Sequence, residues 1–395
     1  MLNFDEIYAW VRDLPIIDWH NHLDMKMLAD DKPLGSLYEA WVKADPYKHR
    51  AMRVCGVPER LITGDAPEAE KWAAWRSTLP KLVGNPIFAW AKMELEFLNE
   101  ELGMEGEGLS IGNLPNVSLA ALTPKKLLKA FNVEYASPCV TAAQLGRRAS
   151  CPSGGCCGAR VVPSLRMNAG DVVTEEQLAR FHAEGCRVVD ISVDDTAQLE
   201  TAFDSLATVA GFAARQGWTM LLHLGALRET SARLRAAAGP AGGFAGMRGP
   251  VDPAAVARFL NRLEARAGNG SLPRTVLLSL NPEAHAQFAI LAGSFVEDGV
   301  PGKVQLGPAW WWCDHREGIF DVFEKNAAYG VLSTFIGMTT DSRSLLSFVR
   351  HDYFRRLFAR WLAQKVADGD FPDDAALLRP LAENVCYRNA KERFA

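Results

Sequence analysis

The feature that most constrains this chain is a recurrence of short apolar runs rich in β-branched residues, each followed by a helix-like segment. This alternation is typical of βα units around a parallel sheet. Eight runs can be counted, and eight strands favour a closed (β/α)8 TIM barrel of the α/β class over an open doubly wound sheet, because the eighth strand closes on the first. The runs are PIID before His20, NVEYASPCV from Asn132, RVVPSLR from Arg160, RVVDISV from Arg187, TMLLHLG from Thr219, TVLLSLN from Thr275, KVQLGPAW from Lys303 and VLSTFIGM from Val331.

About a hundred residues without a strand pattern separate the first run from the second. Segments such as AEKWAAWRSTLPKLV and IFAWAKMELEFLNEEL carry apolar residues at helical spacing. We therefore predict a mostly helical insertion after strand one, at about residues 27–130, within one barrel domain of residues 1–395.

Charge and hydropathy exclude several classes of partner. The chain has 43 Lys+Arg and 47 Asp+Glu, a formal net charge of −4, so no global positive field attracts nucleic acid or anionic lipid. No apolar stretch is long enough to span a membrane, and the N-terminus lacks the basic and apolar regions of a signal peptide. We expect a cytoplasmic protein with a small-molecule partner, no nucleic-acid partner and no membrane association.

The eight cysteines are scattered, and their spacing matches no structural zinc motif. Reduced thiols are the expected state in the cytoplasm. The one cluster, CPSGGCC at Cys151–Cys157, is predicted to be a loop.

The most informative motif is His20-Asn21-His22, directly after the first apolar run. Residues two apart in an extended segment point to the same side, so both imidazoles can face one ion. By itself this pattern is more often formed by ordinary loop or core histidines, and an acidic ligand is needed to complete a metal site. Asp341 follows the eighth run, which barrel closure brings beside the first. His223, at the end of the fifth run, points to the same mouth as a further ligand, a substrate contact or a core histidine.

Two histidines after a first strand and an aspartate after the eighth resemble the amidohydrolase superfamily, whose barrels are of the metal-dependent hydrolase type. Longer segments, from Asp18 to the C-terminal tail, are similar to the uronate isomerase family, also called glucuronate isomerase. These segments are PYKHRAMRVCGVPERLITGDA, LPKLVGNPIFAWAKMELE, LHLGALRE, LSLNP, PGKVQLGPAWWWCDHREG, GMTTDSRSLLSFVRHDYFRR and ENVCYRNAKERF.

The resemblance implies an isomerase that interconverts a hexuronate, D-glucuronate or D-galacturonate, with its ketouronate, fructuronate or tagaturonate. It implies one divalent metal ion, usually zinc, and leaves open a homo-oligomer. Moving a proton between C2 and C1 requires ring opening, a group that takes and returns the proton, electrophilic help for the oxyanion, and a grip on the carboxylate.

The resemblance also implies the role of individual residues. His20, His22 and Asp341 match the metal site, and Asp341 with His20 is expected to help open the sugar ring. Tyr47 matches the proton-shuttling tyrosine. Its ordinary pKa of about 10 makes it a poor base at neutral pH, so positive charge must stabilise the phenolate. Arg166 in PSLRMN matches the arginine expected to supply that charge.

Further positions match the substrate pocket. Arg343, in TDSRS, suits planar bidentate contact with the substrate carboxylate or enediolate. Asp190, His223, Trp310 and Trp311 match the remaining pocket positions.

Three departures from the family pattern put the substrate in question. The family's DHY is Asp45-Pro46-Tyr47 here, its RPD is Arg166-Met167-Asn168, and its DHG is Asp190-Ile191-Ser192. These changes are expected to remove three polar neighbours of the pocket. Two alternatives therefore stay open: a superfamily enzyme with hydrolytic or other chemistry on a different sugar acid, and a catalytically silent sugar-acid binding protein.

Overall fold

The computed structural model describes residues 1–104, 108–145, 158–266 and 272–395. The predicted loop at Cys151–Cys157 lies outside these ranges. The strands are β1 (Ile16–Asn21), β2 (Val133–Val140), β3 (Arg160–Val161), β4 (Ser164–Asn168), β5 (Val188–Val193), β6 (Thr219–Leu224), β7 (Ala226–Leu227), β8 (Gly246–Met247), β9 (Arg274–Ser279) and β10 (Val304–Leu306).

The main sheet is parallel throughout and follows the order β1-β2-β4-β5-β6-β9-β10, with β3 paired to β2. β7 and β8 form a separate antiparallel pair. The third predicted run is divided into β3 and β4 at Pro163, which has no N–H to donate to a ladder.

Helices follow the strands around the outside of the sheet, and α2 to α7 occupy the interval between β1 and β2. Their bounds are α1 (Phe4–Val11), α2 (Met25–Asp30), α3 (Leu37–Trp41), α4 (Pro46–Val54), α5 (Glu68–Thr78), α6 (Pro86–Glu101), α7 (Pro124–Ala130), α8 (Ala142–Leu145), α9 (Glu175–Ala183), α10 (Gln198–Thr201), α11 (Phe203–Arg215), α12 (Ala232–Ala238), α13 (Pro253–Arg266), α14 (His285–Ala292), α15 (Arg316–Tyr329), α16 (Val349–Ala367), α17 (Ala375–Glu383) and α18 (Asn389–Phe394).

The sheet separates two hydrophobic layers. Val188 and Leu221 belong to a cluster inside the curled sheet, whereas their neighbours Val189 and Leu222 pack in the cluster shared with the outer helices. This division follows from the alternation of side chains along a strand. Among the described residues, no helix combines the length and apolar character needed to span a bilayer.

The eighth predicted run lies between β10 and β1 but is not a strand. Leu332–Thr334 forms a 3-10 helix, and the following residues pair with no strand in the described part of the chain. Positive φ angles at Gly337 (+69°) and Asp341 (+48°) interrupt the pleat that a ladder requires. The prediction of an eighth strand is therefore wrong, although the run still occupies the gap between β10 and β1.

Hydrogen bonds replace the missing ladder on both sides of this closing segment, residues 335–342. The Ile336 N–H donates to Gln305 Oε1 over 3.0 Å on the β10 side. On the β1 side the Asp341 N–H donates to the His20 carbonyl over 3.1 Å. The described residues thus close the barrel with individual contacts rather than with a continuous strand.

Gly337 gives a test of this closure. A Cβ at this position would lie 2.2 Å from the Val385 carbonyl oxygen, and the backbone is left-handed. Gly337→Ala is expected to lower the free energy of unfolding by about 2–4 kcal/mol, from the left-handed conformation and the overlap together. Urea unfolding measures the difference, with Gly170→Ala as a control because a Cβ there meets nothing within 4 Å. Equal stability of the two variants would show that the closing segment does not need its glycine.

Candidate active site

Two histidines of β1 and one aspartate of the closing segment meet at the carboxyl end of the barrel. His20 Nε2 and His22 Nε2 each lie 3.1 Å from Asp341 Oδ1. The three side chains offer their ligand atoms within 4.8 Å of one another. Asp341 adopts a left-handed backbone, φ +48°, a strained conformation that is typically retained where the surroundings fix a functional side chain.

The donor chemistry of this triad fits a divalent metal ion. Two imidazole nitrogens and one carboxylate leave coordination positions open for water or substrate. Asp341 Oδ2 is buried without a hydrogen-bond partner among the described residues. Burial would raise the pKa of Asp341, but its contacts with both histidines outweigh burial and hold the pKa well below its usual range.

A second group of polar side chains lies on the other side of His20. Cys139 Sγ is 3.2 Å from His20 Nδ1 and 3.6 Å from Asp190 Oδ2. His223 Nδ1 lies 2.7 Å from Asp190 Oδ1, but at an angle that leaves both atoms without a hydrogen bond among the described residues. Cys139, Asp190 and His20 form a second set with metal-ligand spacing.

Asp190 is a buried anion that the guanidinium group of Arg166 compensates. Arg166 Nη1 lies 2.5 Å from Asp190 Oδ2. Burial alone would raise the pKa of Asp190, but the positive charge of Arg166 outweighs burial and holds the pKa well below its usual range. Burial lowers the pKa of His223 to about 4, so the neutral imidazole is favoured at pH 7.

Tyr47 lies in the first turn of α4. Asp45 caps α4 by accepting hydrogen bonds from the Tyr47 and Lys48 N–H groups, and Pro46 occupies the first helical position, which needs no donor. The Tyr47 hydroxyl is buried and has no hydrogen-bond partner in the described ranges.

Burial, together with the charge of Asp341, raises the pKa of Tyr47 well above its usual value, and Arg350 opposes this shift. The Arg350 guanidinium lies 5.2 Å from the centre of the Tyr47 ring and 3.9 Å from that of Trp90. Its Nη1 is 3.5 Å from Asp314 Oδ2. The cation that contacts Tyr47 is therefore Arg350, while Arg166 pairs with Asp190.

The tryptophans that follow β10 contact both His223 and Tyr47. The Trp310 ring centre lies 4.5 Å from that of His223 and 5.1 Å from that of Trp311. Trp312 contacts Tyr47 edge to face at 5.6 Å. Trp310 is thus brought to the site as expected, and Trp312 joins it.

Arg343 lies apart from these contacts. Its side chain is exposed and lines a cavity of about 270 Å³ together with His22, Trp41 and Asp45. The cavity connects the predicted carboxylate-binding residue to a metal-site histidine.

The structure corrects the interpretation of the departures from the family pattern. Met167 and Ile191 are buried in the outer hydrophobic layer, between sheet and helices. They cannot be neighbours of a pocket on the inner side, because alternate residues face opposite sides of a strand. Asn168 hydrogen-bonds to Asp171 at an exposed position. Ser192 donates to Asp194.

Sequence reasoning missed Cys139, Arg350 and Asp314. Cys139 stands near the end of the second apolar run, where barrel strands present their chemistry, so its position was a usable signal. Arg350 and Asp314 come from a helix and a loop whose packing no local pattern reveals.

The buried Asp314 carboxyl predicts a pH effect on stability. Burial raises its pKa from 3.8 to about 6 despite Arg350. A pKa raised in the folded state stabilises the fold below the unfolded value, and this contribution is lost as the pH rises through the folded value. Between about pH 4 and pH 7, wild type should lose about 3 kcal/mol relative to Asp314→Asn.

Urea unfolding at several pH values measures this difference. Asp204→Asn, on the exposed surface of α11, is the control and should track wild type. A stability difference between Asp314→Asn and wild type that does not change with pH would contradict the assignment.

Comparisons with known proteins agree on one family. The sequence pattern of the family described as glucuronate isomerase matches residues 3–203 and 155–394. The uronate isomerase of Caldicellulosiruptor bescii is 33% identical over 445 aligned residues, which cover 98% of this chain and 95% of that protein. The uronate isomerase of Geobacillus thermodenitrificans is 32% identical over 450 aligned residues, with the same coverage.

Solved structures show the same fold. Uronate isomerase from Thermotoga maritima superposes with a TM-score of 0.84 at 24% identity, covering 99% of this chain and 97% of that one. Glucuronate isomerase from Caulobacter crescentus gives 0.80 at 21% identity, covering 99% and 93%. By sequence similarity along nearly its whole length, the chain belongs to the glucuronate isomerase family.

Proposed function

We propose that the protein interconverts a hexuronate, D-glucuronate or D-galacturonate, with its ketouronate, fructuronate or tagaturonate. The observation that carries this proposal is the convergence of His20, His22 and Asp341 in a chain of the glucuronate isomerase family. We also propose that residues 1–395 form a single catalytic barrel domain with a mostly helical insertion at about residues 27–130.

One divalent metal ion, zinc by family resemblance, is proposed as the cofactor, with His20, His22 and Asp341 as its ligands. When bound, such an ion supplies electrophilic stabilisation to oxygen atoms of the open-chain sugar. Cys139 then accepts from His20 Nδ1, which leaves Nε2 free to face the metal. Asp341, with His20 beside it, is also proposed to help open the sugar ring.

Tyr47 is the proposed proton shuttle between C2 and C1. The neutral phenol is favoured in the resting site, so the hydroxyl is held as a donor until a nearby positive charge stabilises the phenolate. Arg350 lies against the ring and is suited to this role. The role expected for Arg166 stays a prediction, because the contact of its guanidinium is with Asp190.

The remaining residues are proposed to orient the substrate. Arg343 offers a planar fork to the sugar carboxylate from the cavity it shares with His22. Trp310 and His223 form one wall, with Trp311 behind Trp310. Asp190 holds Arg166 by an ion pair and faces the His223 ring.

The alternatives with different chemistry rested on the departures in the pocket. Ile191, which replaces a polar residue of the family pattern, lies in the outer layer, so this change does not remove a polar group from the proposed site. Hexuronate isomerisation is the function that the geometry supports best. A cytoplasmic location and a possible homo-oligomer belong to the same proposal.

The proposal is tested by proton NMR of metal-loaded protein in D2O with D-glucuronate and, separately, D-galacturonate. The anomeric signals of at least one sugar should disappear as ketouronate signals grow. Addition of water to the product would indicate hydrolytic chemistry instead. Tight binding of both sugars without any product would indicate a binding protein.

Tyr47→Phe should lower kcat by about 100-fold or more, because it removes the proposed proton-transfer group. Metal content and thermal stability should stay at the wild-type level, since the hydroxyl makes no hydrogen bond among the described residues. Tyr329→Phe, half-exposed at the end of α15, is the matched control. Turnover of Tyr47→Phe equal to that of the control would remove Tyr47 from the mechanism.

Removing a proposed metal ligand should remove the metal. His20→Ala, His22→Ala and Asp341→Asn should each reduce bound divalent metal after dialysis from about one ion per chain to near none, because each loses one of three ligands. Elemental analysis measures the occupancy, and His315→Gln, a partly exposed histidine at the start of α15, is the control. Full occupancy in all three variants would refute the site.

A further inference from the structure

A polar cavity lies at the end of the barrel opposite the candidate active site. Its volume is about 220 Å³, and its walls include Arg274, Asn384, Glu392 and Arg393. Arg274 begins β9, so the cavity opens at the amino ends of the strands, whereas the metal-site residues lie at the carboxyl ends. The π-helical turn Asn384–Arg388 forms part of the same region, and such turns are frequent at functional sites.

Arg393 is a buried cation with one unused donor. Arg393 is only 8% exposed to solvent. Nη2 donates to the Gly302 carbonyl over 2.6 Å, but Nη1 is buried without a hydrogen-bond partner in the described ranges. A buried guanidinium group without its full set of acceptors is costly.

Arg274 adds a second positive charge to the same wall. Its side chain is partly buried and forms no ion pair with any described carboxylate. Burial, together with the charge of Arg274, lowers the pKa of Arg393 to about 9. Glu392 lines the cavity from an exposed position, and it forms no ion pair with either arginine among the described residues. Two positive charges therefore face one negative charge around an open space.

We propose that this cavity binds a small oxyanion between Arg274 and Arg393. Guanidinium groups present pairs of N–H donors that match the oxygens of phosphate and carboxylate groups. An anion here would compensate the two positive charges and relieve the repulsion between the two arginines. The amide of Asn384 borders the same space and can supply a neutral donor. This proposal is independent of the hexuronate assignment, because the cavity shares no residue with the candidate active site.

The bound oxyanion should also stabilise the C-terminal helix. Arg393 belongs to α18, whose Phe394 stacks on Trp19 of β1 with ring centres 5.3 Å apart. Since a ligand that binds only the folded state stabilises it by mass action, anion binding should raise the melting temperature.

The test is calorimetric titration of the full chain with sodium phosphate and with sodium acetate, at ionic strength matched with sodium chloride. Melting temperatures are recorded under the same conditions. Arg274→Gln should weaken anion binding about tenfold, the effect expected for losing one charge-assisted contact. Arg266→Gln, an exposed arginine on α13 with the same change in charge, should bind like wild type. Glu392→Gln should bind more tightly, because it removes a repulsive charge.

The Arg274 variant decides the test, because Arg393 also holds the Gly302 carbonyl and its replacement could unfold the C-terminal helix. Tighter binding of phosphate identifies a phosphate site, and tighter binding of acetate identifies a carboxylate site. Equal anion binding by Arg274→Gln and Arg266→Gln would overturn the proposal, as would an absence of binding beyond the chloride control.

Discussion

The carboxylate of Asp18 is the constraint on which the closure of this barrel depends. It is fully buried, and it accepts hydrogen bonds from Thr339 Oγ1, from the Thr340 N–H and Oγ1, and from Asn21 Nδ2. His351 Nε2 lies 3.2 Å from its Oδ1. Burial would raise the pKa of Asp18, but these contacts outweigh burial and lower it. One buried anion thus ties β1 to the closing segment and to α16, where regular strand pairing is missing.

The position of the metal-site triad follows from that closure. Asp341 comes directly after the threonines that Asp18 holds, and its N–H donates to the His20 carbonyl. The same contacts that close the barrel therefore set the distance between carboxylate and imidazoles. A closing segment built from side-chain hydrogen bonds also permits the left-handed backbone of Asp341, which a regular ladder would exclude.

His20 connects the two halves of the candidate site through its two ring nitrogens. Nε2 faces Asp341 and Nδ1 faces Cys139, so the imidazole lies between a carboxylate and a thiol. Burial would lower its pKa, but Cys139, Asp190 and Asp341 raise it well above its usual value. A positively charged or metal-bound imidazole is thus favoured at this position. Tyr47 lies in a separate apolar and cationic environment made by Trp90, Trp312 and Arg350.

Local sequence was sufficient for the parts of the protein that repeat or alternate. Apolar runs separated by helical segments determined the parallel sheet, because strand and helix periods are local properties. The spacing of His20 and His22, with Asp341 after the last run, determined the candidate metal triad. Family resemblance then supplied Tyr47 and Arg343, which no periodicity distinguishes from other tyrosines and arginines.

Tertiary structure decided the features that require contacts between segments far apart in the sequence. The eighth run is not a strand, because Leu332–Thr334 forms a 3-10 helix and Gly337 and the following Asp341 take left-handed conformations. Three contacts of the site were likewise not predictable: Arg166 with Asp190, Tyr47 with Arg350, and His20 with Cys139. Their residues are 24, 303 and 119 positions apart in the sequence, respectively. Sequence by itself determined the barrel and the candidate metal ligands. Only the fold determined which charges surround them, because packing decides which side of a strand a residue faces and which charged groups lie beside it.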